Sequence, residues 1–342
     1  MTTGRDAWRP SCSTQMLFVR AEMLKAIRQF FEERGYLEVE TPILSRDIVL
    51  DAWVEPFEVN VGREWWFLQT SPEAHMKRLL AADVGPIFQF SRVFRRGEQG
   101  PRHNSEFTML EWYGVGTDWL QQLEVTEAIV RIAVAAAARV TGKNVANRWS
   151  SAAFQRTTYA TAFQQTFGID VFDCTGEELL EVAQRLQIPL PPGLHHDRID
   201  DILNVMLATE IEPRLGGMSD DGQTFPEFLC DYPPSQAALA VVSDTWPHAA
   251  RRFELYIHGV ELCNGYQELT DAIELQQRES TEKHRRVREG SAELPGAAKL
   301  AAALRAGLPP CSGVALGFDR LVMVATESSD IRHVISFPDD RA

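Results

Sequence analysis

The sequence of 342 residues lacks several patterns that mark common classes of protein. Its longest apolar run, near Ile132–Ala138, is far too short to cross a bilayer. Its five cysteines never occur in C-x-x-C spacing, which argues against both a structural zinc site and a disulfide framework. The G-x-x-x-x-G-K-S/T sequence of P-loop proteins is also missing. These absences argue against a membrane-spanning protein, a zinc-stabilised domain and a P-loop nucleotide-binding protein.

Basic residues are also in short supply. There are 34 Lys and Arg residues against 48 Asp and Glu residues, which gives a net charge of −14. This balance argues against a broad surface for nucleic acid, although a local basic patch remains compatible with it. No hydrophobic core of a signal peptide occurs near the first residues. The missing signal peptide and the scattered cysteines predict a cytoplasmic protein, and the 44% content of hydrophobic residues predicts a well-buried core.

The central stretch Pro86–Tyr113 reads PIFQFSRVFRRGEQGPRHNSEFTMLEWY. Aromatic and β-branched residues alternate with polar ones on both sides of a polar loop, so the stretch predicts two strands joined by that loop. The loop holds Arg95, Arg96, Arg102 and His103. Guanidinium groups on a loop that contains glycine suit bidentate capture of phosphate. Composition alone fits an ordinary hairpin with a solvated, charged tip at least as well.

The order of residues favours the functional interpretation. F-R-x-x-E followed by H-N-x-E-F-T-M-L-E-W-Y resembles motif 2 of the class II aminoacyl-tRNA synthetases, in the lysine branch. The stretch Phe30–Leu44 is similar to motif 1 of that family, whose helix and strand form a dimer interface. Ser312–Met323 resembles motif 3. The resemblance implies an α+β fold, in which an antiparallel β-sheet is flanked by helices, and a homodimer.

The motifs cover the chain from about residue 17 onwards, and only residues 143–225 carry no recognisable motif. We therefore expect a flexible tail at residues 1–13 and one catalytic domain at residues 14–342. Apolar periodicity predicts a helix before the motif 1 strand. Further helices are predicted at residues 118–140, 177–186, 197–212 and 272–288. A hairpin that turns at His258-Gly259 is predicted over residues 252–269.

The resemblance also implies how ATP is held. Arg95 would bind the α-phosphate and the attacking carboxylate, and Arg320 would bind the γ-phosphate and sandwich adenine against Phe107. Arg320 lies on an otherwise apolar helix, where a cation without an anion would be awkward. Gly317 would let the nucleotide approach the backbone, which a Cβ would obstruct. The nucleotide-binding set implied by the resemblance is Arg95, Asn104, Phe107, Glu261, Leu262, Gly317 and Arg320.

Mg²⁺ is the second cofactor that the resemblance implies. Glu254 and Glu261 would carry the ion, since carboxylate oxygens are the hard ligands that it prefers. From the residues alone, these acids could equally form the solvated face of an antiparallel sheet. Strand alternation predicts that Leu262, Asn264, Tyr266 and Glu268 share one face.

The substrate end is implied by further matches. In T-S-P-E, Ser71 and Pro72 suit the N-cap and first position of a helix, and capping alone explains them. The same residues resemble the amino-acid-binding loop of lysine-type synthetases, where Glu73 would face the amine at the reacting end. Tyr113 and Glu268 match the residues that read the distal ammonium group of lysine. The substrate-binding set is Ser71, Glu73, Tyr113, Asn264, Glu268 and Ala315.

Three departures separate this sequence from lysyl-tRNA synthetases. Those enzymes carry an N-terminal anticodon-binding barrel, whereas motif 1 begins here almost at once. Their motif 3 reads G-x-G-x-G-x-D-R, and Ala315 replaces the middle glycine, which should reshape the pocket near the amine. The acid of motif 2 is moved by one residue, to Glu98, so the acid that contacts adenine is not assigned.

A lysine-type core without an anticodon domain resembles the elongation factor P–(R)-β-lysine ligases. The resemblance implies formation of (R)-β-lysyl-adenylate and transfer of the acyl group to the ε-amine of a lysine on elongation factor P, without a role for tRNA. A minimal lysyl-tRNA synthetase is an alternative, against which the net negative charge counts. A catalytically inactive regulatory paralogue is another. The joint presence of Arg95, Arg320, Glu254 and Glu261 disfavours that paralogue.

Overall fold

The computed structural model describes residues 8–51, 54–149, 153–219, 222–246, 248–288 and 290–342. The chain divides into two compact units, one formed by Met1–Asn147 with Glu268–Ala342 and the other by Arg148–Gln267. The first seven residues of the predicted flexible tail lie outside the described residues. In the remainder of that tail, Cys12 is buried and the Ser11 amide donates to the carbonyl of Ser336 at 2.7 Å. The flexibility of the tail stays a prediction.

Helices and strands are interspersed along the chain. The helices are α1 (Thr14–Glu32), α2 (Glu73–Leu80), α3 (Trp119–Thr141), α4 (Tyr159–Phe167), α5 (Gly176–Arg185), α6 (Ile199–Met206), α7 (Ala272–Arg288), α8 (Ala298–Gly307) and α9 (Phe318–Thr326). The strands are β1 (Leu37–Glu38), β2 (Leu44–Ser45), β3 (Glu58–Val61), β4 (Glu64–Leu68), β5 (Ile87–Phe94), β6 (Glu106–Val115), β7 (Gln155–Thr158), β8 (Glu227–Tyr232), β9 (Ala250–Ile257), β10 (Val260–Gln267) and β11 (Cys311–Gly317). No helix in these ranges is long and apolar enough to cross a membrane.

The first unit contains the strands in the order β1, β5, β6 and β11. β1 is parallel to β5, whereas β5–β6 and β6–β11 are antiparallel pairs. β5 and β6 are the two strands that the sequence predicted on either side of the central loop. A smaller sheet in this unit has the order β2, β4, β3. Its hairpin, which the sequence did not predict, precedes helix α2.

Helix α1 is fixed against the strands by aromatic packing. The ring of Phe31 stacks on Phe88 with centroids 4.5 Å apart and also contacts Trp112. The indole N–H of Trp112 donates to Gln122 of α3 at 2.8 Å. Since side chains alternate along a strand, Glu111 and Tyr113 lie on the other face of β6. One face of β6 therefore packs against α1 and α3, and the opposite face carries the acidic residue of the site described below.

The second unit contains the strands in the order β10, β9, β8 and β7, of which β7 and β8 are parallel. The predicted hairpin is confirmed: His258 and Gly259 both have positive φ, 52° and 65°, which matches a tight two-residue turn. A bulge shifts the pairing between Glu261 and Cys263, because Glu261 lies opposite Tyr256 and Cys263 opposite Leu255. The bulge interrupts the predicted alternation at Leu262, which is buried.

The helices of the second unit enclose a hydrophobic core of their own. The rings of Tyr159 and Phe163 on α4 stack at 4.6 Å, and Tyr159 also contacts Tyr232 of β8. The predicted helix at 177–186 agrees with α5. The helix predicted at 197–212 is divided in the structure: α6 ends at Met206, and a π-helical turn, Leu207–Ile211, follows it. The mixed fold of helices and mainly antiparallel strands confirms the predicted fold class.

Candidate active site

A buried lysine lies at the centre of an acidic pocket in the first unit. Lys77 and Glu73 are one turn apart on α2, and Glu268 directly follows β10. The Nζ atom of Lys77 lies 2.5 Å from Oε1 of Glu73 and 2.5 Å from Oε2 of Glu268. Only 1% of the Lys77 side chain is exposed. The two carboxylates that the sequence assigned to the substrate amines are therefore held together by one internal ammonium group.

Glu111 supplies a third carboxylate. The hydroxyl of Tyr113 donates to its Oε1 at 2.7 Å, and the hydroxyl of Ser71 donates to its Oε2 at 2.7 Å. The same Ser71 oxygen accepts the backbone N–H of Glu73 at 3.0 Å. Helix α2 begins at Glu73 with Pro72 as its cap residue, so the predicted start of the helix is wrong by one position. Ser71 nevertheless joins the helix start to the pocket.

The acids outnumber the base in this pocket. Burial, with a contribution from Glu73, raises the pKa of the Glu111 carboxyl to about 7. Burial also raises the pKa of Glu268, although the neighbouring Lys77 opposes that shift. Burial would lower the pKa of Lys77, but the carboxylates of Glu268 and Glu73 outweigh it and raise that pKa. With three carboxyl groups, of which two pair with the ammonium of Lys77, the pocket suits added positive charge.

Strand β11 forms the neighbouring part of the pocket. In its register, Gly313 lies opposite Tyr113 and Ala315 lies opposite Glu111. A Cβ atom at Gly313 would come within 2.3 Å of the Tyr113 ring and 2.6 Å of Oε1 of Glu268. Only glycine therefore leaves room for these two side chains. The half-buried Ala315 adds its methyl group beside the acidic residues.

Arg95 leaves β5 at the start of the central loop and lies over an aromatic ring. Its guanidinium carbon is 5.2 Å from the ring centroid of Phe107, and its Nη1 is 3.6 Å from Oε1 of Glu98. Its Nε atom is buried and has no hydrogen-bond partner within the described chain. A buried donor without an acceptor costs about 1–3 kcal/mol, so this atom suits an anionic ligand. The predicted stacking partner of Phe107 was adenine, and here Arg95 covers the ring.

Arg320 on α9 lies beside the same loop. Its Nη2 donates to Nε2 of His103 at 2.6 Å, and its Nε donates to the carbonyl of Arg102 at 3.4 Å. Burial and the charge of Arg320 lower the pKa of His103, which keeps the imidazole a neutral acceptor. The atoms nearest to a Cβ at Gly317 would be those of the Arg320 side chain, at 3.7–3.8 Å, which is ordinary van der Waals contact. Packing does not demand a glycine at this position, which favours the predicted close approach of a ligand.

Both polar atoms of the Asn104 side chain make hydrogen bonds within the protein. Its Nδ2 donates to the carbonyl of Glu106 at 2.7 Å, and its Oδ1 accepts the amide of Asp339 at 3.0 Å. Nδ2 thus holds the side chain to the neighbouring Glu106, and Oδ1 joins the loop to the C-terminal segment. Its predicted contact with the nucleotide stays a prediction.

The remaining predicted residues lie in the second unit. The Oε2 atom of Glu254 accepts the hydroxyls of Tyr232 and Tyr256, each at 2.6 Å, and Oε1 accepts Nη2 of Arg252 at 2.5 Å. Nε of Arg252 also donates to Oδ1 of Asn264 at 3.2 Å. Glu254 is therefore a buried carboxylate with three donors.

Among the residues that the structure describes, no group of three or more His, Cys, Asp or Glu side chains is arranged so that it could hold a metal ion. Mg²⁺ is commonly held by one or two carboxylates together with substrate phosphates. Glu254 lies on β9 and Glu261 on the neighbouring β10, and their role as Mg²⁺ ligands stays a prediction.

Comparison with known proteins agrees with this geometry. The family of class II tRNA synthetases (D, K and N) matches residues 6–341. The chain belongs to this family. Proteins named elongation factor P–(R)-β-lysine ligase from Salmonella dublin, Salmonella paratyphi B and Salmonella heidelberg are each 40% identical to it over 342 aligned residues, which cover 98% of this chain and 98% of each relative. As a class II synthetase-like ligase, the chain is an ATP-using enzyme.

Sequence reasoning missed three residues of this acidic pocket. Lys77 carried a detectable signal, because positions i and i+4 of a helix share a face and Glu73 was already assigned. Glu111 could have been found by alternation, since it lies two residues before Tyr113 on β6. Gly313 needed the register of β11 against β6, which the sequence does not supply.

Proposed function

We propose that this class II enzyme activates (R)-β-lysine with ATP and transfers the acyl group to the ε-amine of a lysine on elongation factor P. The observation that carries this proposal is the buried acidic pocket, in which Lys77 pairs with Glu73 and Glu268, and Glu111 adds a third carboxyl group. A compound with two ammonium groups would satisfy such a pocket, and β-lysine is one. The names of the relatives at 40% identity support the same substrate and acceptor.

In the first step, an oxygen of the substrate carboxylate attacks the α-phosphorus of ATP. The bond to the bridging oxygen breaks, and pyrophosphate leaves. Little covalent help is needed, so the enzyme contributes positioning and fixed positive charge. Arg95 would hold the α-phosphate and the carboxylate, and its buried Nε, which has no hydrogen-bond partner among the described residues, supports this role. Arg320 would hold the γ-phosphate, with neutral His103 orienting it.

The acidic pocket would hold the two amines of the substrate. Glu73 would face the amine nearer the carboxylate, while Tyr113 and Glu268 would receive the distal ammonium. The structure adds Glu111 to that group, because its carboxylate is hydrogen-bonded to Tyr113. Asn264 and Ala315 complete the proposed substrate set, and Ala315 would favour the β-isomer by narrowing the space beside Glu111.

In the second step, the neutral ε-amine nitrogen of the acceptor lysine attacks the carbonyl carbon of the adenylate. A C–N bond forms, the C–O bond to AMP breaks, and the nitrogen loses a proton.

Mg²⁺ would be carried by Glu254 and Glu261, and when bound it would neutralise phosphate charge. An acceptor that is a translation factor would place this reaction in the cytoplasm.

A homodimer through the motif 1 region is part of the proposal. Several apolar side chains of α1 and the segment after it are exposed: Leu17 by 39%, Phe18 by 62%, Leu37 by 53% and Ile43 by 43%. Such a set suits an interface with a second copy. Light scattering should give twice the mass of the chain, and a monomer at micromolar concentration would contradict this part.

Pyrophosphate exchange into ATP tests the activation step. It should be measured with (R)-β-lysine and L-α-lysine side by side. We expect a strong preference for the β-isomer. A preference for α-lysine would favour a minimal lysyl-tRNA synthetase, and no exchange with any amino acid would favour a regulatory paralogue.

A further inference from the structure

A buried arginine of α7 makes an ion pair with a residue far away in the sequence. Nη1 and Nη2 of Arg286 donate to the two carboxylate oxygens of Glu55, at 2.7 Å and 3.0 Å. Only 2% of the Arg286 side chain is exposed. Bidentate arginine–carboxylate pairs fix geometry as well as charge. We propose that Arg286 is a positioning residue for the nucleotide end of the active site, acting through Glu55 on the loop that carries Arg95.

Glu55 touches that loop directly. Its backbone carbonyl accepts the N–H of Arg96 at 2.7 Å, and its carboxylate lies 3.6 Å from Nη2 of Arg96. The two preceding amides are also anchored, since Phe94 donates to Gln69 and Arg95 donates to Ser105. Arg95 is therefore aimed by three successive backbone hydrogen bonds. The third of these depends on where Glu55 is held.

Arg286 is itself fixed from the other side. Its Nε donates to the carbonyl of Ala292 at 3.1 Å, and the Ser291 amide donates back to the carbonyl of Arg286 at 2.9 Å. Leu294, just beyond, packs in a small buried cluster with Ile48 and Phe67. The guanidinium group is thus held in place by its own hydrogen bonds, and it fixes the position of the Glu55 carboxylate. Since 34% of the Glu55 side chain is exposed, it can turn towards water once the anchor is removed.

Arg286→Met tests the inference, because methionine fills a buried site without charge or directed hydrogen bonds. We expect KM for ATP in pyrophosphate exchange to rise by about tenfold or more, as small misplacements of a catalytic group commonly cost that much. Binding of the amino acid in the absence of ATP should stay within about twofold of the unmodified enzyme, because the acidic pocket is not altered. Arg286→Lys keeps the charge but loses the bidentate pair of hydrogen bonds. Its KM for ATP should therefore lie between those of the unmodified enzyme and Arg286→Met.

Arg285→Met is the matched control. Arg285 is the neighbouring residue on α7, and its guanidinium pairs with Glu282 of the same helix at 2.7 Å. Its loss should leave KM for ATP unchanged. A purely structural role for Arg286 would lower kcat in proportion to the folded fraction and leave KM for ATP as it is, and that result would overturn the inference.

The inference rests on the proposed role of Arg95, and the two can fail separately. No exchange by the unmodified enzyme with any amino acid would overturn both. Normal exchange by the unmodified enzyme, with unchanged KM for ATP in Arg286→Met, would overturn the positioning role alone. Should Arg286→Met not fold, the same comparison with Arg286→Lys decides, and an unchanged KM for ATP there rejects the inference.

Discussion

Glu111→Gln should make the free enzyme more stable and a poorer catalyst. The structure holds the Glu111 carboxyl in a buried site that raises its pKa from 4.5 to about 7. This difference corresponds to about 3 kcal/mol at roughly 1.4 kcal/mol per pH unit. A group whose pKa is raised in the folded state makes folding less favourable as pH rises from its unfolded value to its folded one. Glutamine has the same shape and does not ionise.

The gain in stability should therefore depend on pH. At pH 8 the substitution removes the full penalty, whereas at pH 5.5 the folded carboxyl is still protonated and about 2 kcal/mol less is gained. Altered hydrogen bonds to Ser71 and Tyr113 cost about 1 kcal/mol at both pH values and cancel in the difference. Urea unfolding of both proteins at pH 5.5 and pH 8, followed by tryptophan fluorescence, measures this difference in the free energy of unfolding.

Activation of the amino acid should weaken at the same time. A hydrogen bond to a charged group contributes about 1.5–3 kcal/mol, so KM for the amino acid in pyrophosphate exchange should rise by about ten- to a hundredfold. Glu106→Gln is the control, because Glu106 lies on the same strand with a half-exposed side chain. A stability gain that is equal at pH 5.5 and pH 8 would refute the buried-acid reasoning.

Three further predictions concern the same pocket. Raising the pH from 6 to 8 should lower KM for the amino acid by about tenfold and leave KM for ATP nearly unchanged, because Glu111 must lose its proton to receive an ammonium group; a flat profile would contradict this. Gly313→Ala should raise KM for the amino acid at least about tenfold, since the added methyl group would collide with Tyr113 and Glu268; near-normal exchange would show that the pocket yields. Ala315→Gly should shift relative kcat/KM towards α-lysine, and an unchanged ratio for the two isomers would remove Ala315 from the specificity.

Local chemistry explains what the sequence predicted well. The turn at His258-Gly259 follows from two residues that tolerate positive φ, and α7 agrees with its predicted limits. The alternating aromatic residues of β5 and β6 likewise indicated two paired strands. In each case, the signal lies within a few neighbouring residues.

The parts that the sequence did not reveal depend on distant contacts. The i, i+4 spacing places Lys77 on the same helix face as Glu73, but its burial depends on its second partner, Glu268, which lies far along the chain. The bulge at Leu262 depends on the register between β9 and β10. The hydrogen bonds that Tyr232 and Arg252 donate to Glu254 are equally non-local. Motif resemblance predicted the residues that would hold ligands, and it did not predict the side chains that contact those residues.

Transfer to the protein acceptor tests the central claim most directly. The enzyme should be incubated with ATP, (R)-β-lysine and purified elongation factor P, and the acceptor analysed by intact mass and peptide mapping. The account predicts the added mass of one lysyl group on a single lysine side chain, and none without ATP or with Arg95→Ala enzyme. An unmodified acceptor, from an enzyme that still exchanges pyrophosphate with (R)-β-lysine, would contradict it.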